Sequence, residues 1–149
     1  MPDLESYAKH ARLWGYYSGD RKEEADFWET LARRYGTSIL ALMSATGEMA
    51  AMLARRGFRV CAIDFILEMI REGRRRYGDI TNLTFMQGDV RSLKPDRNDY
   101  DFAFTSDFNH LLTREDCLTA LVSIRQALRP GAGFGLELSF PDTESRASP

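Results

Sequence analysis

The chain has 149 residues, 44% of them hydrophobic, with 20 basic and 22 acidic side chains and a formal net charge of −2. That length supports one core, so a single domain over residues 1–149 is expected, and the balanced charge gives no broad basic field for a nucleic-acid backbone. No apolar run approaches the roughly 20 residues needed to cross a bilayer, and the opening MPDLESYAKH lacks an export pattern, so a cytoplasmic chain with no membrane partner is expected.

Leu4, Tyr7, Ala8 and Ala11 recur at helical spacing and predict a first helix. Phe27, Trp28, Leu31, Ala32 and Tyr35 predict a second, with Gly36 placed to cap it. Between them WGYYSGD sets Trp14, Tyr16 and Tyr17 beside Gly15 and Gly19 and reads as a loop that carries aromatic rings. From residue 38 short apolar runs alternate with amphipathic stretches. SILALM, EMAAMLARR, FRVCAID and ILEMIREGRRRY read as strand, helix, strand, helix. A third strand, LTFMQ, ends at Gly88-Asp89, and a fourth, YDFAFT, ends at Ser106-Asp107. Thr113 and Asp116 frame a capping box ahead of Leu118, Leu121, Val122 and Leu128, in a helix stopped by Pro130-Gly131. GFGLELS is the fifth strand, and the polar PDTESRASP that follows is expected to be a disordered tail over 141–149.

This alternation implies right-handed crossovers and a doubly wound α/β fold: a mostly parallel, Rossmann-like sheet of about five strands preceded by N-terminal helices. Ligands in such sheets lie beyond the carboxyl ends of the strands. Here those ends carry Met43-Ser44-Ala45-Thr46-Gly47, Asp64, Gly88-Asp89 and Ser106-Asp107-Phe108-Asn109-His110. An acid ending the second strand after a Gly-containing turn can accept hydrogen bonds from both hydroxyls of a ribose. With Gly47 alone in place, the turn lacks the glycines that let backbone close around a pyrophosphate, which argues against a dinucleotide. Cys61 and Cys117 lie in apolar stretches without a CxxC pair, and neither clusters with His10 or His110, so reduced thiols and no metal site are expected. The Arg-dense stretches, Arg55, Arg56 and Arg59, then Arg71, Arg74, Arg75 and Arg76, read as solvated helix faces.

The ordered set ILALMSATGEMA, VCAIDFILEMI, MQGDVRSL, YDFAFT and LRPGAGFGLEL resembles the class I S-adenosylmethionine-dependent methyltransferases, from about Tyr7 to Leu138. The resemblance implies S-adenosylmethionine as cofactor, with S-adenosylhomocysteine as product. It places Asp64 on the ribose, Phe65 against the adenine, and Asp89 on the adenine amino group with the Val90 backbone beside it. Ser44, Ala45, Thr46 and Gly47 then face the methionine end, joined by Ser106 and by Tyr16 from a lid over residues 1–36, above a cofactor-binding core at 37–140. Tyr17 and His110 are the candidate catalytic residues, an aromatic face for a cation and a general base. Each has a structural alternative: packing for the tyrosines, a hydrogen-bonded fold residue for His110, turn capping for Asp107 and Asn109.

Two departures from the family pattern qualify this. The family's loop carries an acid where Ala41 stands and glycines where Met43 and Ala45 stand, so weakened cofactor affinity is expected, with strain of order 1 kcal/mol if Ala45 must take positive φ. The family's sheet also continues past the fifth strand with an antiparallel hairpin that this sequence does not supply. Either the sequence is a piece of a longer chain, or the edge left by the fifth strand is covered by a second copy of the chain or a partner protein. The expected function is methyl transfer to a small-molecule nitrogen or oxygen acceptor. The competing reading is a methyltransferase-like binding protein without catalysis.

Overall fold

In the computed structural model, residues 4–16 and 19–139 are described. Helix α1 (Leu4–His10) passes into a 3₁₀ turn (Ala11–Tyr16), followed by α2 (Lys22–Ala32), β1 (Ser38–Leu42), α3 (Glu48–Arg55), β2 (Arg59–Asp64), α4 (Leu67–Tyr77), β3 (Leu83–Gln87), β4 (Tyr100–Thr105), α5 (Arg114–Ala127) and β5 (Leu128–Leu136). Short 3₁₀ turns, Val90–Ser92 and Phe108–His110, follow β3 and β4. The expected tail at 141–149 and Tyr17 lie outside the described residues.

The five strands form one all-parallel sheet in the order β3-β2-β1-β4-β5. The chain therefore winds outward from β1 in one direction to β3, then returns to β4 on the other side of β1. The crevice where the winding reverses, between the ends of β1 and β4, is where this architecture places ligands.

Period-two alternation along each strand builds two cores. Ile39, Ala41, Val60, Ala62, Phe102 and Phe104 face the α2, α3 and α4 layer with Trp28, Leu53 and Ile70. Leu40, Leu42, Cys61, Ile63 and Ala103 face the α5 layer with Ala120, Ile124 and Ala127. Trp28 lies against Phe104 at 4.8 Å between ring centroids, joining α2 to the sheet. Among the described residues no helix is long and apolar enough to cross a membrane.

Three sequence expectations shift. The helix expected to run to Pro130-Gly131 ends at Ala127, and β5 begins at Leu128 rather than Gly133. The register between Tyr100 and Phe102 jumps from Leu128 to Gly133, so Pro130 and Gly131 sit in a bulge. An edge strand tolerates a proline there because the ladder does not need its missing N–H. Next, α5 buries Ala120, Ser123, Ile124 and Ala127, while Leu118, Leu121 and Val122 are exposed. Small residues let the helix approach the sheet closely, leaving the large ones outside. Finally, part of the segment expected as a loop is a 3₁₀ turn, whose Arg12 carbonyl accepts from Arg76 Nη2 at 2.5 Å.

Asp101 fastens three strands at their amino ends. Its Oδ2 accepts from the backbone N–H groups of Thr37 and Ser38 (2.9 and 3.0 Å) and from Ser38 Oγ (2.9 Å), and its Oδ1 accepts from Arg129 Nε (2.7 Å). Partial burial by itself would raise its pKa, but Arg129 and the Ser38 and Thr37 donors outweigh it and hold the carboxyl at about 2. This stabilisation is therefore complete above the unfolded carboxyl range near pH 4 and is lost as pH falls toward 2. Asp101→Asn should cost about 1–3 kcal/mol at neutral pH, and its chemical denaturation curves should lack the part of the acid-side loss that this carboxylate contributes.

Candidate functional site

The loop after β1 enters α3 through three left-handed positions, Met43 (φ 51°), Ala45 (φ 51°) and Gly47 (φ 85°). Gly47 has a second reason to be glycine, since a Cβ there would stand 2.6 Å from the Phe85 ring. The expectation for Ala45 is thus met, and Met43 shares the same strain, of order 1 kcal/mol each.

The carboxylate ending β2 holds this loop. Asp64 Oδ2 accepts from Ala45 N at 2.8 Å and Oδ1 from Ile66 N at 2.9 Å, while Ser44 N donates to the Ile63 carbonyl at 3.0 Å. Asp64 is 9% exposed. Burial pushes its pKa up to about 6, with the two backbone N–H groups working in the opposite direction. A carboxylate has about four lone-pair sites, so two remain for further donors such as ribose hydroxyls.

Beyond the strand ends lies a cavity of about 300 Å³ with largely apolar walls. Of the cofactor and catalytic candidates read from sequence, Ala45, Asp64, Phe65, Asp89, Val90 and His110 line it, as do Met43, Gly88 and Asp107 from the strand ends and Trp14 from the aromatic segment. Phe65 is 45% exposed, a large aromatic face left available at the mouth. Ser44, Thr46, Gly47 and Ser106 are not in the lining. Thr46 is fully buried and its hydroxyl donates to Glu48, and Ser106 Oγ donates to Glu24 Oε1 at 3.3 Å. Thr46 is thus held inside the turn into α3, and Ser106, after β4, is held toward α2. The Tyr16 side chain lies outside the described residues, as Tyr17 does.

Asp89 is not free in the way its sequence position suggests. Arg91 donates to both of its oxygens (2.7 to 3.1 Å), and Arg91 Nη1 also reaches Asp116 Oδ1 at 3.2 Å. The hydrogen bonds from Arg91 hold Asp89 below the usual carboxylate range. Asp107, on the β4 side, has its pKa raised by burial, with the charges of His110 and Arg21 opposing; His110 Nε2 stands 3.8 Å from Asp107 Oδ1.

Sequence reasoning passed over Arg91 and the lining role of Asp116, whose capping role is real: Thr113 Oγ1 accepts from Asp116 N at 3.0 Å. It also missed Arg21, at the N-cap of α2, and Glu24, in its first turn, which pair with each other. The i, i+2 and i, i+3 spacings were visible, but the contact of Glu24 with Ser106 spans 82 positions and leaves no local pattern.

A family model described as a methyltransferase domain matches residues 39–131. Phosphoethanolamine N-methyltransferase 1 of Triticum aestivum is 31% identical over 115 residues, covering 75% of this chain and 23% of that protein. Among solved structures, the glycopeptide N-methyltransferase MtfA complexed with S-adenosyl-L-methionine superposes with a TM-score of 0.74 at 21% identity, over 85% of this chain and 57% of that one. Streptomyces venezuelae DesVI superposes with a TM-score of 0.74 at 24% identity, over 88% and 57%. The chain thus spans about a quarter of the Triticum aestivum relative and somewhat over half of these two structures. At such identities the superpositions establish the fold.

Two outcomes follow from the loop. Ala45→Gly should relieve part of the strain and raise the melting temperature by about 1–4 °C; an unchanged or lower value in calorimetry would mean that the alanine is not strained. The Asp64 pKa is raised on folding, so its proton-linked stabilisation is full below about pH 4 and is lost as pH rises through 6, a difference of order 2–3 kcal/mol. Thermal melting from pH 4 to 7 should reveal this decline in the wild type and its absence in Asp64→Asn.

Proposed function

Since the chain belongs to the methyltransferase-domain family, of the class I S-adenosylmethionine-dependent type, we propose that it transfers a methyl group from S-adenosylmethionine to a small-molecule acceptor. The single observation that carries the reading is the placement of Asp64 and Phe65 together at the cavity beyond β2, a carboxylate with spare acceptor capacity beside an exposed ring. That pair fits a nucleoside: Asp64 takes the ribose hydroxyls and Phe65 covers a face of the adenine. Asp89 takes the adenine amino group beside the Val90 backbone, once Arg91 has yielded one oxygen or turned to Asp116. The backbone of the 44–47 loop borders the remainder of the cofactor, and Ser106 acts from the β4 side through Glu24.

When bound, the cofactor supplies an electrophilic methyl group on a sulfonium, so the protein has mainly to align the acceptor and receive a proton. Asp107 and His110 border the cavity at the end of β4 and are the groups positioned to receive that proton. Burial makes the Asp107 carboxylate more basic than a surface aspartate. A nitrogen acceptor is favoured over oxygen because the Triticum aestivum relative and MtfA are both named N-methyltransferases. Residues 1–36 act as the lid on this reading, with Trp14 on the cavity wall. Among the described residues β5 pairs with β4 alone, and its outer edge is the surface that a second copy or partner would cover.

The second reading, a methyltransferase-like protein that binds without catalysing, draws on the strained Met43 and Ala45 and on the Arg91 clamp over Asp89. Calorimetric titration with S-adenosylmethionine and S-adenosylhomocysteine separates the two. Micromolar binding, lost in Asp64→Ala that still melts cooperatively, is the expected result. Ribose hydroxyls donate better to an ionised acceptor, so affinity should strengthen as pH rises from 5 to 7. No heat at millimolar ligand would leave the binding-protein reading standing.

A further inference from the structure

Resting on the cofactor reading above, we propose that the Arg21–Glu24 pair on α2 receives the amino-acid end of the cofactor, Glu24 taking its ammonium and Arg21 its carboxylate, in place of the acid that Ala41 does not supply. The two side chains form a fork-to-fork ion pair, with Arg21 Nε 2.8 Å from Glu24 Oε2 and Nη2 2.7 Å from Oε1. A guanidinium and a carboxylate set face to face have the charges and geometry that an α-amino acid zwitterion needs in reverse order. Both are about one-quarter exposed, so a ligand can reach them and exchange partners.

Position supports the assignment. Ala41 faces the same core as Trp28 and Phe104, so a longer side chain at 41 would extend into the α2 layer. Trp28 packs on Phe104, which is the β4 partner of Ala41 in register, and Glu24 lies one helical turn before Trp28. Glu24 is also joined to Ser106 at the carboxyl end of β4. The nucleoside residues Asp64, Phe65 and Asp89 belong to the β2 and β3 ends. A ligand held there whose tail crosses the end of β1 arrives at β4 and α2, where this pair stands.

Two features of the surroundings bear on how the pair takes a further partner. The Trp28 indole N–H, in a side chain only 2% exposed, acts on the same Glu24 carboxylate as Arg21 and Ser106. The local charge is also negative, since Glu48 and Asp107 both act on the Arg21 guanidinium in addition to Glu24. Three carboxylates around one arginine leave room for an incoming ammonium, although Arg76 also bonds Glu48 at 3.2 Å.

The test compares S-adenosylhomocysteine with 5′-methylthioadenosine, which keeps the nucleoside thioether and lacks the amino-acid end, by calorimetric titration of the full chain. Arg21→Gln and Glu24→Gln should each weaken S-adenosylhomocysteine by about ten- to a hundredfold while leaving 5′-methylthioadenosine within about twofold; retained thioether binding doubles as the check that the variant is folded. Arg21→Lys, which keeps charge without the fork, should fall between. Equal loss of both ligands, or no loss of either, overturns the role of the pair while leaving the cofactor reading intact. Wild-type protein that binds neither ligand overturns both.

Discussion

The crevice depends on one buried carboxylate. Asp64 ends β2 and bonds the backbone on either side of it, the Ala45 amide after β1 and the Ile66 amide before α4. Parallel pairing of Leu42 with Ile63 brings the two strand ends level, so the carboxylate meets the loop without any long reach. This bridge is what holds two non-glycine residues in a left-handed backbone that each would leave if free. The cost appears as a raised pKa, because burial disfavours the charge that the bridge uses. Strain and a buried charge thus meet at the mouth of the cavity.

Around that crevice the basic side chains act as tethers. Arg74 donates to the Phe85 carbonyl at 2.7 Å, and Arg76 ties the Arg12 carbonyl to Glu48 and Glu72. Glu72 is 6% exposed yet held at about 2, by its hydrogen bonds to Arg75 first and then, against the penalty of burial, to Arg76. Arg129 fastens β5 to Asp101 at the opposite end of the sheet. The Arg-dense stretch in α4, which reads as a solvated face, therefore links the N-terminal segment to the cofactor-loop side of the domain.

Much of the fold was legible because period-two and helical patterns are local. Strand and helix identity, the parallel sheet implied by their alternation, and the Thr113 cap needed only neighbouring residues. The end of α5 was not, because Leu128 continues the helical pattern up to the Pro130-Gly131 stop, and β4 overrides it by pairing Tyr100 with Leu128. In the site, Asp64 and Phe65 were found by their position at a strand end. The Arg91 clamp on Asp89 and the link between Glu24 and Ser106 were not, since the first depends on how a 3₁₀ turn directs a side chain and the second on a contact 82 residues apart.

The sequence by itself determined the architecture, the family and the strand-end acids, since each rests on spacing along the chain that physical periodicity enforces. Only the tertiary structure decided which polar groups are free to meet a ligand. Asp64 keeps capacity, Asp89 is occupied, Thr46 and Ser106 turn away, and Glu24 arrives from another element. The reason is that a hydrogen bond depends on distance and direction at the scale of a few tenths of an ångström, which the packing of separate elements sets and residue order does not encode locally.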